Sequence, residues 1–284
     1  QWLAHQDEDE PLGVLFSGGV DSGAVLMSLY HALLESGRSP SRLKAFTLAV
    51  DGRGLDVEQA RAFLRRLDLE MLLEVVDVAS DDLDPFEAVK IIEDYKPLDV
   101  ECATVGLALL RGIRRRYPAW RLLLDGDGGD ENLKDYPLED HQELTIRSVV
   151  SNSMLYQEGW GVDAIKHSLT YSGGFSRACV RTYAPARLLG FAGLSPFSRP
   201  AIIGVAEAAP FDELTGGSTA KLYALKGQVV QRGMRSHLGV DFPVFEKRRF
   251  QHGAVDAAVF RGRFEHHPES YRAHFLSLHG GVPQ

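Results

Sequence analysis

Two stretches rich in glycine and aspartate carry the residues of this sequence that are best suited to chemistry. The first, residues 17–22, reads Ser-Gly-Gly-Val-Asp-Ser and follows a short apolar run at 14–16. Glycines let the backbone approach a phosphate closely, and the N–H groups at a helix N-terminus attract anions. The Ser17 and Ser22 hydroxyls can donate to phosphate oxygens, and Asp21 can hold a cation such as Mg²⁺. The stretch predicts a phosphate-binding site, and an ordinary glycine-rich turn is the alternative. It is not a Walker A loop, because no Gly-Lys-Ser/Thr sequence follows it.

The second stretch, residues 125–131, reads Asp-Gly-Asp-Gly-Gly-Asp-Glu and follows the apolar run at 122–124. Clustered carboxylates repel one another unless a cation compensates their charge. Asp21 and Asp130, at the ends of neighbouring strands, form a plausible Mg²⁺ pair. An EF-hand is excluded because the twelfth position is Tyr136 instead of glutamate. An acidic surface loop is the alternative interpretation.

The elements that must position these stretches alternate between strands and helices. Apolar runs predict strands at 14–16, 43–50, 72–78 and 120–124, and periodic patterns predict helices at 24–34, 56–67, 85–95 and 105–116. This alternation predicts an α/β fold with a doubly wound, mostly parallel sheet, whose ligands bind beyond the carboxyl ends of the strands. After residue 137 strand-like runs disappear, and helices are expected at 143–154, 201–208 and 221–237.

The predicted organisation is a polar lead-in at 1–11, a nucleotide-binding α/β half at 12–136, a mostly helical acceptor half at 137–255 and a tail at 256–284. The net charge of -8 argues against a nucleic-acid partner. No apolar run is long enough to span a membrane, and no signal peptide is recognisable, so we expect a cytoplasmic protein with no membrane partner. The two cysteines, Cys102 and Cys179, form no Cys-x-x-Cys motif.

Several motifs resemble those of a known family. The SGGxDS stretch after a buried strand resembles the pyrophosphate loop of the N-type ATP pyrophosphatases (the PP-loop superfamily), which cut ATP between its α- and β-phosphates. The sequence DGDGGDENLKDY at 125–136 resembles the S-G-E-G-A-D-E-L-F-G-G-Y segment of the asparagine synthetase-type synthetase domain. Stretches at 44–50, 195–199, 220–226 and 246–253 resemble further segments of that family in the same order. The resemblance spans 12–255 and implies a Rossmann-like fold of the adenine nucleotide alpha hydrolase type.

The resemblance also implies roles for single residues. Pyrophosphate is bound by Ser17, Gly18, Gly19, Asp21 and Ser22, with Lys226 as a further phosphate ligand. The AMP portion is lined by Leu15, Leu48, Asp125 and Gly126, and Mg²⁺ is bound by Asp21 and Asp130. Lys247 stabilises the negative charge of the transition states, and Asp127 lies near the acyl-adenylate. On the acceptor side, Glu101 in an expected loop at 99–104 and Ala192, Leu194 and Arg199 depart from the family pattern.

The implied reaction is ATP-dependent, AMP-forming amide synthesis through an acyl-adenylate, with ATP and Mg²⁺ as cofactors. The expected partners are a small-molecule carboxylate and ammonia or an amine. Asparagine synthetases carry a glutaminase domain that the sequence does not contain. We expect this domain either upstream of Gln1 or as a separate subunit, unless free ammonia or an amine of the substrate supplies the nitrogen. Assembly of the chain as a homodimer is also possible. Two alternatives remain: a cyclase similar to β-lactam synthetase or the lasso-peptide cyclases, and a nucleotide-binding module whose acceptor site has decayed.

Overall fold

A computed structural model describes residues 2–133, 179–245, 253–264 and 268–278. These residues divide between two compact units. The first unit contains residues 1–125, 179–194 and 245–284, and the second contains 126–178 and 195–244. The predicted boundary at 136 and the expected helix at 143–154 lie outside the described residues.

The first unit contains a parallel sheet in the order β3-β2-β1-β4-β5. Its strands are β1 Leu12–Leu15, β2 Leu43–Val50, β3 Leu73–Val78, β4 Leu122–Leu124 and β5 Ala192–Leu194. Strand β5 corrects the expectation that strands end before residue 137. It was missed because it has three residues, Ala-Gly-Leu, and no apolar run; it is held to β4 by backbone bonds such as Ala192 N–H to the Arg121 carbonyl, 2.8 Å.

Helices connect the strands of this sheet, as expected for a doubly wound α/β fold. They are α1 Val20–Glu35, α2 Leu55–Arg66, α3 Pro85–Ile92 and α4 Pro97–Arg116. The chain moves from β1 to β2 and β3 on one side of the sheet order and then returns to β4 on the other, so right-handed crossovers put helices on both faces. The fold class is confirmed.

Helix α4 begins earlier than the sequence pattern predicts. Pro97 occupies its first position, where proline needs no hydrogen-bonded N–H, and the following turns are helical. The expectation of a loop at 99–104 is therefore wrong, and Glu101 lies in a helix. Helix α3 ends before the predicted residue 95 because Glu93 takes a left-handed conformation with φ of 52°.

One apolar core cluster lies between the sheet and α4. Phe46, Leu48 and Val50 alternate along β2 and pack with Val105 and Leu109 of α4. Helix α6, Ala184–Leu188, follows a π-helical turn at Cys179–Tyr183. This helix and other segments late in the chain add further side chains to the core, namely Ala186, Phe191, Ala254, Val255 and Phe264.

The C-terminal residues expected to form a tail contain two helices, α10 Ala257–Phe264 and α11 Pro268–Leu278. Tyr271 of α11 is buried in a second cluster with Val89, Val100 and Ala103 of α3 and α4. The ring of Tyr271 packs edge-on against Phe86 with centroids 5.6 Å apart. This segment is thus part of the core of the first unit.

Arginine side chains hold the polar lead-in by hydrogen bonds to its backbone carbonyls. Arg42 donates from Nε to the Glu10 carbonyl at 2.7 Å and from Nη2 to the Asp7 carbonyl at 2.6 Å. Arg38 donates to the Leu3 carbonyl at 2.7 Å. Burial and the neighbouring Arg38 charge lower the pKa of Arg42. The lead-in therefore begins the first unit.

The second unit is helical over its described residues. It contains α5 Gly129–Leu133, α7 Pro200–Glu207, α8 Phe211–Thr215, α9 Thr219–Leu238 and a 3₁₀ turn at Pro196–Ser198. Helix α9 is capped by Ser218, which accepts from the Lys221 N–H, and ends at Gly239 with φ of 67°. The helices predicted at 201–208 and 221–237 are confirmed. Among the helices of the described ranges, none is sufficiently long and apolar to cross a membrane.

Candidate nucleotide-binding site

The predicted phosphate loop, residues 17–22, joins β1 to the first turn of α1. β1 lies between β2 and β4, where the sheet order reverses. In open α/β sheets such a reversal leaves a crevice beyond the carboxyl ends of the strands, and ligands bind there. The fold therefore places the loop where the sequence predicts a ligand.

Gly18 gives this loop its conformation. Its φ is +75°, and a Cβ at this position would lie 2.7 Å from the Ala60 nitrogen and 2.8 Å from the Gln59 carbonyl carbon. Both the dihedral angle and the close packing against α2 require glycine. Gly19, the N-cap of α1, makes no side-chain cap bond, so no cap side chain covers the first N–H groups of the helix. This glycine cradle at a helix N-terminus fits a phosphate.

The loop brings together two of the predicted pyrophosphate ligands. The Ser17 and Ser22 hydroxyl oxygens lie 3.3 Å apart. The Gly19 N–H donates to Ser17 Oγ at 3.3 Å, and the Ser17 N–H donates to Ser22 Oγ at 3.4 Å. Asp21 lies in the first turn of α1, where a carboxylate is favoured by the helix dipole. Two hydroxyls and a carboxylate thus lie on one short loop.

Two residues that the sequence interpretation did not select hold the carbonyls at the start of this loop. Thr47 Oγ1 donates to the Phe16 carbonyl at 2.6 Å, and Gln59 Nε2 donates to the Ser17 carbonyl at 3.2 Å. Both side chains are buried. In the sequence, these residues are marked only as polar residues among apolar neighbours, Thr47 in β2 and Gln59 on the buried face of α2.

Leu15 and Leu48, predicted to line the AMP portion, lie on adjacent strands. The Leu48 side chain is 1% exposed and belongs to the core, so a nucleotide could contact only its backbone. The Phe46 carbonyl bonds to the Phe16 N–H. Because strand residues two apart point their backbone groups the same way, the Leu48 N–H and C=O point towards the β1 side, beyond the last residue of β1. Backbone groups at such a position can pair with an adenine edge.

Asp125 follows β4, the other strand next to β1. Its N–H donates to the Leu194 carbonyl of β5 at 3.2 Å, and its side chain is buried. Strand β5 therefore fixes the start of the second glycine- and aspartate-rich stretch. Gly126 and the rest of this stretch belong to the second unit.

Within the second unit, the rest of that stretch is held by neighbouring turns and helices. Lys226 of α9 forms an ion pair with Asp130 of α5. Asn132 Nδ2 donates to the Phe197 carbonyl at 2.5 Å, and Ser198 Oγ donates to the Asp127 carbonyl at 3.3 Å. The stretch at 195–199 thus contacts residues 127–132.

The structure leaves the predicted catalytic lysine and the predicted magnesium pair untested. Lys247 lies outside the described residues. Asp21 and Asp130 belong to different units, so their shared Mg²⁺ stays a prediction, and Asp130 already pairs with Lys226. In the described ranges, no group of three or more His, Cys, Asp and Glu side chains could hold a metal ion. Ala192 and Leu194 lie in β5, and Arg199 is the N-cap of α7.

A buried charged cluster near the start of α4 was not expected. Asp99, almost fully buried, contacts Lys96 at 3.1 Å and Arg181 at 2.7 Å, and Lys96 also contacts Asp94 at 3.1 Å. Burial alone would lower the pKa of Lys96, but the charges of Asp99 and Asp94 outweigh it and raise that pKa. The Arg181 interaction joins α4 to the turn before α6.

Comparison with protein families decides the wider assignment. The family model described as asparagine synthase matches residues 3–177, more than half of the chain. The chain belongs to the asparagine synthase family. None of the curated proteins compared with the chain matches it. Membership in this family identifies an asparagine synthetase-type synthetase domain. Proteins of the family use ATP, so the match supports a general function in ATP-dependent amide-bond formation.

Proposed function

We propose that this asparagine synthase family member activates a carboxylate with ATP and passes the activated acyl group to a nitrogen nucleophile. A carboxylate oxygen attacks the α-phosphorus of ATP, the bond to the β-phosphate oxygen breaks, and an acyl-adenylate and pyrophosphate form. Ammonia or an amine then attacks the acyl carbon, AMP leaves, the nitrogen loses a proton, and an amide results. Positioning and charge neutralisation dominate such phosphoryl and acyl transfers.

The observation that carries the proposal is the conformation of Gly18. Its left-handed backbone and its packing on Ala60 form a cradle without side chains at the N-terminus of α1. In the proposal, the cradle and the Ser17 and Ser22 hydroxyls bind the β- and γ-phosphates that leave as pyrophosphate. Hydrogen bonds from these groups stabilise the charge that develops on the leaving group.

The other predicted residues have narrower roles in the proposal. The backbone groups of Leu48 pair with adenine, while Leu15 and Asp125 flank the ribose and α-phosphate. Lys226 would contact phosphate oxygens, Lys247 would stabilise the negative charge of the transition states, and Asp127 is placed towards the acyl group. Mg²⁺, held by Asp21 and Asp130, would neutralise phosphate charge.

The experiment that tests the proposal follows carboxylate-dependent exchange of labelled pyrophosphate into ATP in the presence of Mg²⁺. The panel contains aspartate, glutamate, β-amino acids and a peptide with acidic side chains, each with and without ammonia. Exchange with one carboxylate, followed by AMP and amide formation when a nucleophile is present, is the expected result. Amide formation without an added amine would identify the cyclase alternative.

Two results would overturn the proposal. One is formation of ADP and phosphate, since cleavage would then occur at the wrong bond. The other is ATP binding without pyrophosphate exchange across the whole panel, as expected for a binding module. Ser17→Ala serves as the matched variant, because it removes one loop hydroxyl without adding volume to the glycine cradle.

A further inference from the structure

We infer that Gln59 and Thr47 are positioning residues of the phosphate loop, because they fix the peptide planes that precede its glycines. Gln59 donates to the Ser17 carbonyl and Thr47 donates to the Phe16 carbonyl. These bonds join residues 42 and 31 positions apart in the chain. The inference deepens the proposed function and rests on it for the nature of the ligand.

Fixing a carbonyl also fixes an N–H group. In a trans peptide the C=O and N–H point in opposite directions, and the described residues contain no cis peptide bond. When Gln59 holds the Ser17 carbonyl towards α2, the Gly18 N–H of the same peptide must point away from α2. When Thr47 holds the Phe16 carbonyl towards β2, the Ser17 N–H points away from β2, and it donates to Ser22 Oγ at 3.4 Å.

The peptide before Gly18 needs such a constraint more than most. Glycine populates positive and negative φ with similar ease, so this peptide plane can rotate at low cost. Rotation would turn the Ser17 carbonyl oxygen towards the loop face and its anion, and two negative groups repel each other. The Gln59 amide opposes this rotation because the partly buried Ser17 carbonyl would lose its hydrogen bond, and that loss costs free energy.

Packing restricts Gln59 in turn. Its side chain is 8% exposed, and its own backbone lies against Gly18, since a Cβ there would contact the Gln59 carbonyl carbon at 2.8 Å. The same turn of α2 therefore contacts the loop through a side-chain amide and through its backbone. Helix α2 therefore fixes the loop conformation, and this conformation directs the loop N–H groups towards the proposed phosphate site.

The binding test uses Gln59→Met, which removes the donor and keeps the side-chain length, with ATP, inorganic pyrophosphate and AMP as separate probes in calorimetry with Mg²⁺. We expect the Kd of ATP and of pyrophosphate to rise about tenfold, the effect of one hydrogen bond, and the Kd of AMP to change less than about twofold. Thr47→Val should act in the same direction. A purely structural loss would weaken all three probes alike, and that result would overturn the inference.

The matched control is Gln231→Met. Gln231 also donates its side-chain amide to a backbone carbonyl, that of Phe242 at 3.0 Å, but it lies in the second unit. This variant should leave all three dissociation constants unchanged. Equal effects of Gln59→Met and Gln231→Met on ATP would also overturn the inference.

Hydrogen–deuterium exchange without any nucleotide tests the positioning separately from the proposed function. Peptides covering residues 13–24 should exchange at least about fivefold faster in Gln59→Met and Thr47→Val, because their amide planes are no longer held. Unchanged exchange would overturn the inference. Faster exchange in the variants, combined with a wild-type protein that binds neither ATP nor pyrophosphate, would refute the proposed function and leave the positioning role intact.

Discussion

Lys226 and Asp130 form an ion pair inside the second unit in which the ammonium side chain is 6% exposed and the carboxylate side chain is 37% exposed. Their free-energy contributions should therefore be unequal. Asp130→Asn should lower the free energy of unfolding by about 1–3 kcal/mol, because it removes the anionic partner of a buried ammonium. Lys226→Met should cost less, since the buried charge is removed and the apolar stem is kept.

Urea unfolding of the two single variants and of the double variant measures this asymmetry. The double variant should be about as stable as Lys226→Met alone, because Lys226→Met already removes the ion pair and the buried ammonium that Asp130→Asn would leave without its carboxylate partner. Additive losses would contradict the pairing. Glu213→Gln in α8 is an exposed control on a neighbouring helix of the same unit.

Gly18→Ala should abolish nucleotide and pyrophosphate binding within the range of calorimetry and also lower the melting temperature. The reason is the combination of positive φ with a Cβ that would lie 2.7 Å from the Ala60 nitrogen. Gly37→Ala separates the two causes, since Gly37 has φ of +70° and open space around it. The control should lose about 1–2 kcal/mol of stability from backbone strain and keep its affinity. Similar nucleotide and pyrophosphate affinities of the two variants would refute the proposed role of Gly18 in phosphate binding.

Tyr271 should make the protein less stable at alkaline pH. Burial, assisted by the charge of Glu101, raises the pKa of Tyr271 to about 12, whereas an unfolded tyrosine ionises near pH 10. Between these values the unfolded chain releases a proton that the folded chain keeps, so stability falls as pH rises. Between pH 8 and pH 11.5 wild type should lose about 2 kcal/mol more than Tyr271→Phe.

Denaturant titrations at the two pH values check this expectation. Tyr183→Phe is the control, because the Tyr183 side chain is 41% exposed. It should lose stability in parallel with wild type. Identical pH dependence of wild type and Tyr271→Phe would show that folding does not raise the pKa of Tyr271.

Gly253→Ala should destabilise the first unit. A Cβ at this position would overlap the buried Asp56 carboxylate, lying 2.5 Å from its Cγ and 2.8 Å from Oδ2. Overpacking of this kind costs about 1–3 kcal/mol, measured as a change in unfolding free energy. The loss should be smaller when Asp56→Ala is also present, because the carboxylate is then absent. Gly262→Ala, in the open space around α10, should be neutral or slightly stabilising.

The sequence predicted the sheet and its first loop well where a local pattern was sufficient. Residues 43–50 are apolar along their length and lie between turns, and β2 has these bounds. The glycines and serines of 17–22 predicted the phosphate loop because each residue type has a direct backbone or hydroxyl role there. These features depend on neighbours in the chain.

Features that depend on distant contacts were not predictable in this way. β5 contains a glycine and has three residues, and it exists because β4 provides hydrogen-bond partners for it. Gln59 and Thr47 act on carbonyls far away in sequence. The sequence pattern does not show the start of α4, because charged residues hide its apolar periodicity. Lys96 precedes the helix as its N-cap, and Asp99 and Glu101 lie in its first turns. The buried cluster of Lys96 and Asp99 with Arg181 becomes apparent only in the structure.

The discontinuous composition of the first unit has a consequence for how the chain acquires its structure. During synthesis, residues 1–125 emerge with the phosphate loop and strands β1 to β4, but without Phe191, β5, Ala254 and Val255. Until these later segments arrive, β4 forms one edge of the sheet and the α4 side of the core lacks apolar neighbours. A fragment that ends at residue 125 should therefore aggregate rather than fold. Because the first unit needs contacts between segments far apart in the chain, it should also fold slowly.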